Sequence, residues 1–132
     1  MENKMEIYKL EFYVPETHAE KVKKAIFAAG GGKLGNYDCC CWQTIGTGQF
    51  KALDGSEPFI GEQNQVEMEP EYKVEMVVPE EKISAVIEAL KETHPYETPA
   101  FQYWKVITEI MQSEEDESEE NDNQSATGTT NA

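Results

Sequence analysis

The stretch Tyr8–Glu16, YKLEFYVPE, occurs a second time at Tyr72–Glu80 as YKVEMVVPE, 64 residues further on. Six of the nine positions are identical: Tyr8/Tyr72, Lys9/Lys73, Glu11/Glu75, Val14/Val78, Pro15/Pro79 and Glu16/Glu80. An internal repeat constrains architecture before any local reading does. In the first copy Tyr8, Leu10, Phe12 and Val14 fall on one side of a period-two pattern, with Lys9, Glu11 and Tyr13 on the other. In the second copy Tyr72, Val74, Met76 and Val78 do the same. This alternation predicts a half-buried strand in each copy. The proline that follows presets φ for a first helical turn, and Glu16 or Glu80 sits near its positive end. Val22, Ala25, Ile26 and Ala29 then recur at helical spacing, as do Ile83, Val86, Ile87 and Leu90. The repeat unit is a strand followed by a helix.

Each helix is followed by another strand pattern, Tyr37–Ile45 (YDCCCWQTI) and Ala100–Ile107 (AFQYWKVI), and the same offset aligns Tyr37 with Phe101. Two β-α-β units in tandem make β-α-β-β-α-β, a ferredoxin-like α+β fold with an antiparallel four-stranded sheet and both helices on one face. The uncovered face would carry Tyr13, Trp42 or its neighbours, Val77 and Trp104. That much apolar surface predicts a homo-oligomer, a trimer or dimer of packed sheets.

The chain of 132 residues carries a net charge of −15. Seven acids between Glu114 and Asp122 lie in a segment without aromatic or basic residues, so 112–132 reads as a disordered acidic tail behind one domain, 1–111. Setting those seven aside leaves about −8, which argues against nucleic acid or an anionic membrane as a partner. No apolar run approaches the ~18 residues that span a bilayer, and MENKMEIYK lacks the apolar centre of a signal peptide. The expected location is cytoplasmic. Cys39-Cys40-Cys41 is no disulfide framework. On the expected strand Cys39 and Cys41 face one side and Cys40 the other, as small buried hydrophobes.

Between the second and third strands Gly46–Pro70 reads as irregular, and a connection of that length points to function. Gly46-Thr47-Gly48-Gln49 would present backbone N–H groups to an anion, or make a strand-end turn or bulge. Gly30-Gly31-Gly32 follows a helix rather than preceding one, which makes it a helix stop and not a phosphate loop. His94-Pro95-Tyr96-Glu97 has two readings. It is a structural helix exit, or His94 and Glu97 join a cysteine as mixed ligands to a transition metal. Cys39 with His94 is the one Cys–His pair that could serve nucleophilic chemistry.

The runs GKLGNYDCC, GTGQF, PFIG and HPYETPA, in this order, resemble the insert domain of the NGG-interacting-factor-three-like (YqfO-type) dinuclear-metal proteins, which also exists as a short stand-alone protein. The resemblance covers about Tyr8–Ile107. His94–Pro99 also resembles CutA, a trimeric protein linked to divalent-cation tolerance. These resemblances imply a CutA/P-II-like fold, in which the connection between the second and third strands is the regulatory ligand loop of P-II proteins. The parent family's metals are held by several histidines and carboxylates, whereas this chain has only His18 and His94. Its metal-dependent hydrolysis therefore does not transfer.

The expected function is a non-enzymatic, homo-oligomeric binding or regulatory module for a small ligand or a divalent metal ion, with no catalytic residue assigned. Gly46, Thr47, Gly48, Gln49, Phe50 and Tyr96 would bind the ligand, and His94, Glu97 and Cys39 a metal. A metal-assisted hydrolase is one alternative. A structural adaptor that docks a larger protein through its sheet is the other.

Overall fold

A computed structural model describes residues 2–111; the expected acidic tail, 112–132, lies outside them. Six principal elements follow in order: β1 (Glu2–Pro15), α1 (Ala19–Ala28), β2 (Trp42–Lys51), β3 (Val66–Val78), α2 (Ile83–Thr93) and β4 (Phe101–Met111). One 3-10 turn, Glu16–His18 or Glu80–Lys82, introduces each helix directly after the repeated proline. The strands form one antiparallel sheet ordered β2-β3-β1-β4. This is the ferredoxin-like arrangement that the duplicated unit implies. No helix among the described residues is long and apolar enough to cross a membrane.

The two halves meet where the repeat is strongest. In the β1–β3 register Glu11 pairs with Glu75, its own counterpart, so a local twofold axis passes between them. Like charges directly opposite would repel. Lys9 reaches Glu75 at 3.2 Å and Lys73 reaches Glu11 at 3.7 Å, a crosswise exchange that follows the same symmetry. On the other face Leu10, Phe12, Val14, Val74, Met76 and Val78 are buried against Val22, Ile26, Val86, Ile87 and Leu90 of the helices. The apolar side of each period-two pattern is thus the core.

Both copies of the first strand outrun the identical stretch, starting at Glu2 and Val66, the same 64-residue offset. Their extensions pair with the far ends of β4 and β2 and make a two-stranded arm at each end of the sheet. Pro70 falls in the β2–β3 arm, beyond the last β1–β3 pair at Pro15↔Glu71. A missing N–H is tolerated where a strand has lost one neighbour.

Two expectations need correction. The second strand starts at Trp42, not Tyr37, and the cysteines precede it. α1 ends in a Schellman turn, with Gly30 N–H bonded to Phe27 O and Gly31 N–H to Ile26 O. Gly32 then bonds Val77, Cys40 bonds back to Gly32, and Cys39 takes φ 58° with its N–H on Asp38 Oδ1. A left-handed residue breaks strand alternation, so Cys39 and Cys41 are exposed and Cys40 half-buried rather than core. The second correction concerns Gly46–Pro70. β2 continues through GTGQF to Lys51 and β3 begins at Val66, leaving only residues 52–65 irregular. An Ala52↔Gln63 bridge and an Asn64 side-chain bond to Asp54 close that connection.

Candidate functional site

β2, the 52–65 connection and the segment after α2 converge at the end of the sheet where α2 finishes. Pro95 cannot continue the helix, and His94 leaves it in an extended conformation while its N–H still bonds Leu90 O. The His94 ring is 7% exposed. Its Nε2 lies 2.6 Å from the Tyr13 carbonyl oxygen, and Nδ1 accepts the Tyr96 N–H at 3.2 Å. A carbonyl accepts and an amide donates, so the ring is the neutral Nε2–H tautomer with both nitrogens engaged. Burial pushes its pKa below the ordinary value, against the pull of the Tyr13 carbonyl and with the nearby His18 adding a smaller push down.

Buried His94 sets the start of the segment that carries Tyr96 and Glu97 outward. The Tyr96 hydroxyl donates to Glu71 Oε2 at 2.8 Å. Burial, the bond to Glu71 and the Glu71 charge together raise the phenol well above its usual pKa. Glu97 Oε1 accepts the Glu57 N–H at 2.9 Å and ties the 52–65 connection to the segment. The rings of Phe50 and Phe59 stand 6.0 and 6.3 Å from that of Tyr96, tilted by 52° and 49°. Between these groups lies a cleft of about 450 Å³, also lined by Tyr13, Gln49, Leu53 and Ile60. That volume suits a small organic molecule, and the lining is mainly apolar with a few placed polar groups.

The expected ligand residues divide. Gln49, Phe50 and Tyr96 line the cleft, and Gly46, Thr47 and Gly48 border a shallower hollow on the open sheet that shares Tyr13 and Glu71 with it. Both glycines are paired strand residues, and the Glu71 carboxylate lies across Gly48, where a Cβ would collide with it. Gly48 is open so that Glu71 can pass.

The three expected metal ligands are not gathered. Glu97 borders the cleft and His94 stands behind it, but Cys39 precedes β2 at the end of the sheet where α1 finishes. Among the described residues no group of three or more His, Cys, Asp or Glu side chains is arranged to hold a metal ion. The Cys39–His94 pairing fails for the same reason of topology. The Cys41 thiol is raised by burial, with Lys23 opposing.

Glu71 and Tyr13 were missed by reading the sequence. The repeat did hold a signal: the offset puts Glu71 opposite Ile7 and Tyr13 opposite Val77, the polar or aromatic member of each pair lining the cleft.

No protein-family model matches the chain. The GTP cyclohydrolase 1 type 2 homolog of Halalkalibacterium halodurans is 41% identical over 103 residues, which are 78% of this chain and 28% of that protein. The crystal structure of a Bacillus cereus protein related to NIF3 superposes with a TM-score of 0.66 at 35% identity, over 79% of this chain and 26% of that one. CutA from Synechococcus elongatus gives a TM-score of 0.56 at 16% identity, covering 82% of this chain and 85% of that one, a likeness of fold. The chain therefore spans little more than a quarter of the length of the NIF3-related relatives it matches.

Proposed function

Because the chain belongs to the NIF3-related family, matching one segment of its longer members, we propose that it is a small-ligand binding or regulatory module whose ligand seats in the cleft between β2 and the segment after α2. The carrying observation is convergence: three separated runs, GTGQF, PFIG and HPYETPA, contribute Phe50, Phe59 and Tyr96 to one aromatic wall. Binding rather than turnover is favoured because His94, the histidine behind the cleft, is buried with both ring nitrogens already bonded, while Tyr96 holds Glu71 and Glu97 holds the Glu57 amide. A general base needs a free lone pair aimed at its substrate.

Thermal-shift screening of the full chain against metabolites and divalent metals is the direct test. A compound that stabilises the protein, and no longer does so in Phe50→Ala, supports the reading. A panel in which nothing separates the two proteins removes it. A divalent metal remains in the panel because Glu71 and Glu97 both border the cleft.

Self-association is the second part of the proposal. Trp42 and Trp104 are 70% and 42% exposed on the strands, and their partners in register, Glu75 and Lys9, place them on the face away from the helices. Exposed tryptophans on one open face are expected to be covered by another copy. A monomer mass in light scattering at micromolar concentration would refute it; an oligomer that dissociates with Trp42→Lys would support it.

A further inference from the structure

The wall of the cleft has a chemical bias that volume alone does not convey. Phe50 and Phe59 are each tilted against Tyr96 rather than stacked on it, and all three rings line the cleft. Two carboxylates stand at its edge. Glu71 uses Oε2 for the Tyr96 hydroxyl, and Glu97 uses Oε1 for the Glu57 amide, so each keeps a second oxygen with free lone pairs. Lys51 is the one cation among the lining residues, set against both acids.

Each class of ligand meets this surface differently. An anion would face two carboxylates on a chain that already carries −15. A purely apolar molecule would cover the rings and further desolvate the half-buried Glu71 carboxylate without offering it a partner, which is costly for a charge. A compact hard metal ion wants about six or more oxygens, and the rings offer none. An ammonium group buried in methyl or methylene carbons satisfies both surfaces, because its charge is attracted to the ring faces and to the carboxylates together. The bond from Tyr96 to Glu71 keeps ring and carboxylate side by side.

We infer that the cleft is selective for small organic cations, an alkylated or quaternary ammonium group seated against Phe50, Phe59 and Tyr96 with Glu71 and Glu97 as its counter-charges. The inference rests on the cleft being the binding site proposed above and adds the charge class of the ligand.

The test uses three compounds of nearly one shape: choline, its neutral carbon isostere 3,3-dimethylbutan-1-ol, and the anion 3,3-dimethylbutanoate. Each is titrated into the full chain by NMR, following the aromatic signals of Phe50, Phe59 and Tyr96. Choline should bind at least about tenfold more tightly than the neutral isostere, and the anion most weakly. Glu71→Gln, which keeps shape and an acceptor for Tyr96, should weaken choline by about tenfold and leave the alcohol unchanged. Glu97→Gln is the second variant should the first disturb folding.

If the alcohol or the anion binds as well as choline, the cation inference fails while the cleft stands as a binding site. If choline affinity is unchanged in both glutamine variants, the counter-charge assignment is wrong and the inference fails likewise. Absence of choline binding at about 10 mM would sink the inference, while the cleft would still stand or fall by the thermal-shift panel.

Discussion

Ile7 and Glu71 occupy the same place in the two halves of this molecule, one residue before the repeated tyrosine, and they do opposite things. Ile7 is 6% exposed in the β1–β4 arm, where it pairs with Val106. Glu71 is half-buried, lies across Gly48 and holds the Tyr96 hydroxyl. A similar split separates Gly30, which closes α1 in a left-handed turn, from His94, which leaves α2 extended and anchors on Tyr13. Duplication supplied two equivalent ends. One end closes by packing, and the other spends the same backbone positions on charge, aromatic surface and a cleft.

The comparison breaks first if the shared scaffold is not what holds the protein together. Phe12 is fully buried where the halves meet, so Phe12→Ala should cost about 3–5 kcal/mol in urea unfolding. A loss below about 1 kcal/mol would place the stability elsewhere.

Exchanging the two roles is the next and sharper test. Ile7→Glu puts a carboxylate into a closed apolar place and should destabilise by about 2–4 kcal/mol. Glu71→Ile should stay within about 1 kcal/mol of the parent, since its side chain is only half-buried. It should also bring the Tyr96 phenol pKa down, because the Glu71 bond and charge are two of the causes that raise it. Equal costs from the two exchanges, by paired urea titrations, would erase the distinction between the ends.

The smallest effect is a pH dependence at His94. Its folded pKa is depressed, so the unfolded chain takes up a proton first as pH falls below the ordinary value of about 6.5. Stability is then complete above that pH and declines as pH drops toward the folded pKa. His94→Gln should flatten the slope of unfolding free energy between about pH 7 and 5. An unchanged slope would remove His94 as the titrating group.

The scaffold was legible in the sequence because its rule is local and repeats. Tyr8–Glu16 alternates, Tyr72–Glu80 alternates at the same offset, and a helical stripe follows each. The limits of β2 were not legible. Of two consecutive runs, YDCCCWQTI reads as a strand and GTGQF as a turn or bulge, and only the pairing with β3 shows that the strand runs from Trp42 through GTGQF. Cys39 shows the reason: one left-handed residue, held by Asp38, takes the cysteines off the strand without any change in hydropathy. At the site, Phe50 and Tyr96 were named because they sit in recognisable runs. Glu71 was hidden one residue before the repeat, at a place that looked like scaffold.

The sequence by itself determined the β-α-β-β-α-β order, the core face of the central strands and the likeness to one segment of longer NIF3-related proteins, since alternation, helical spacing and identity are properties of neighbouring residues or of one offset. Only the tertiary structure decided which end carries the cleft. That choice depends on Glu71 meeting Tyr96, Glu97 meeting Glu57 and Phe59 meeting Tyr96, contacts between residues 25 to 40 positions apart. No periodicity records such meetings; the chain has to fold before the two ends of a duplicated sheet become different.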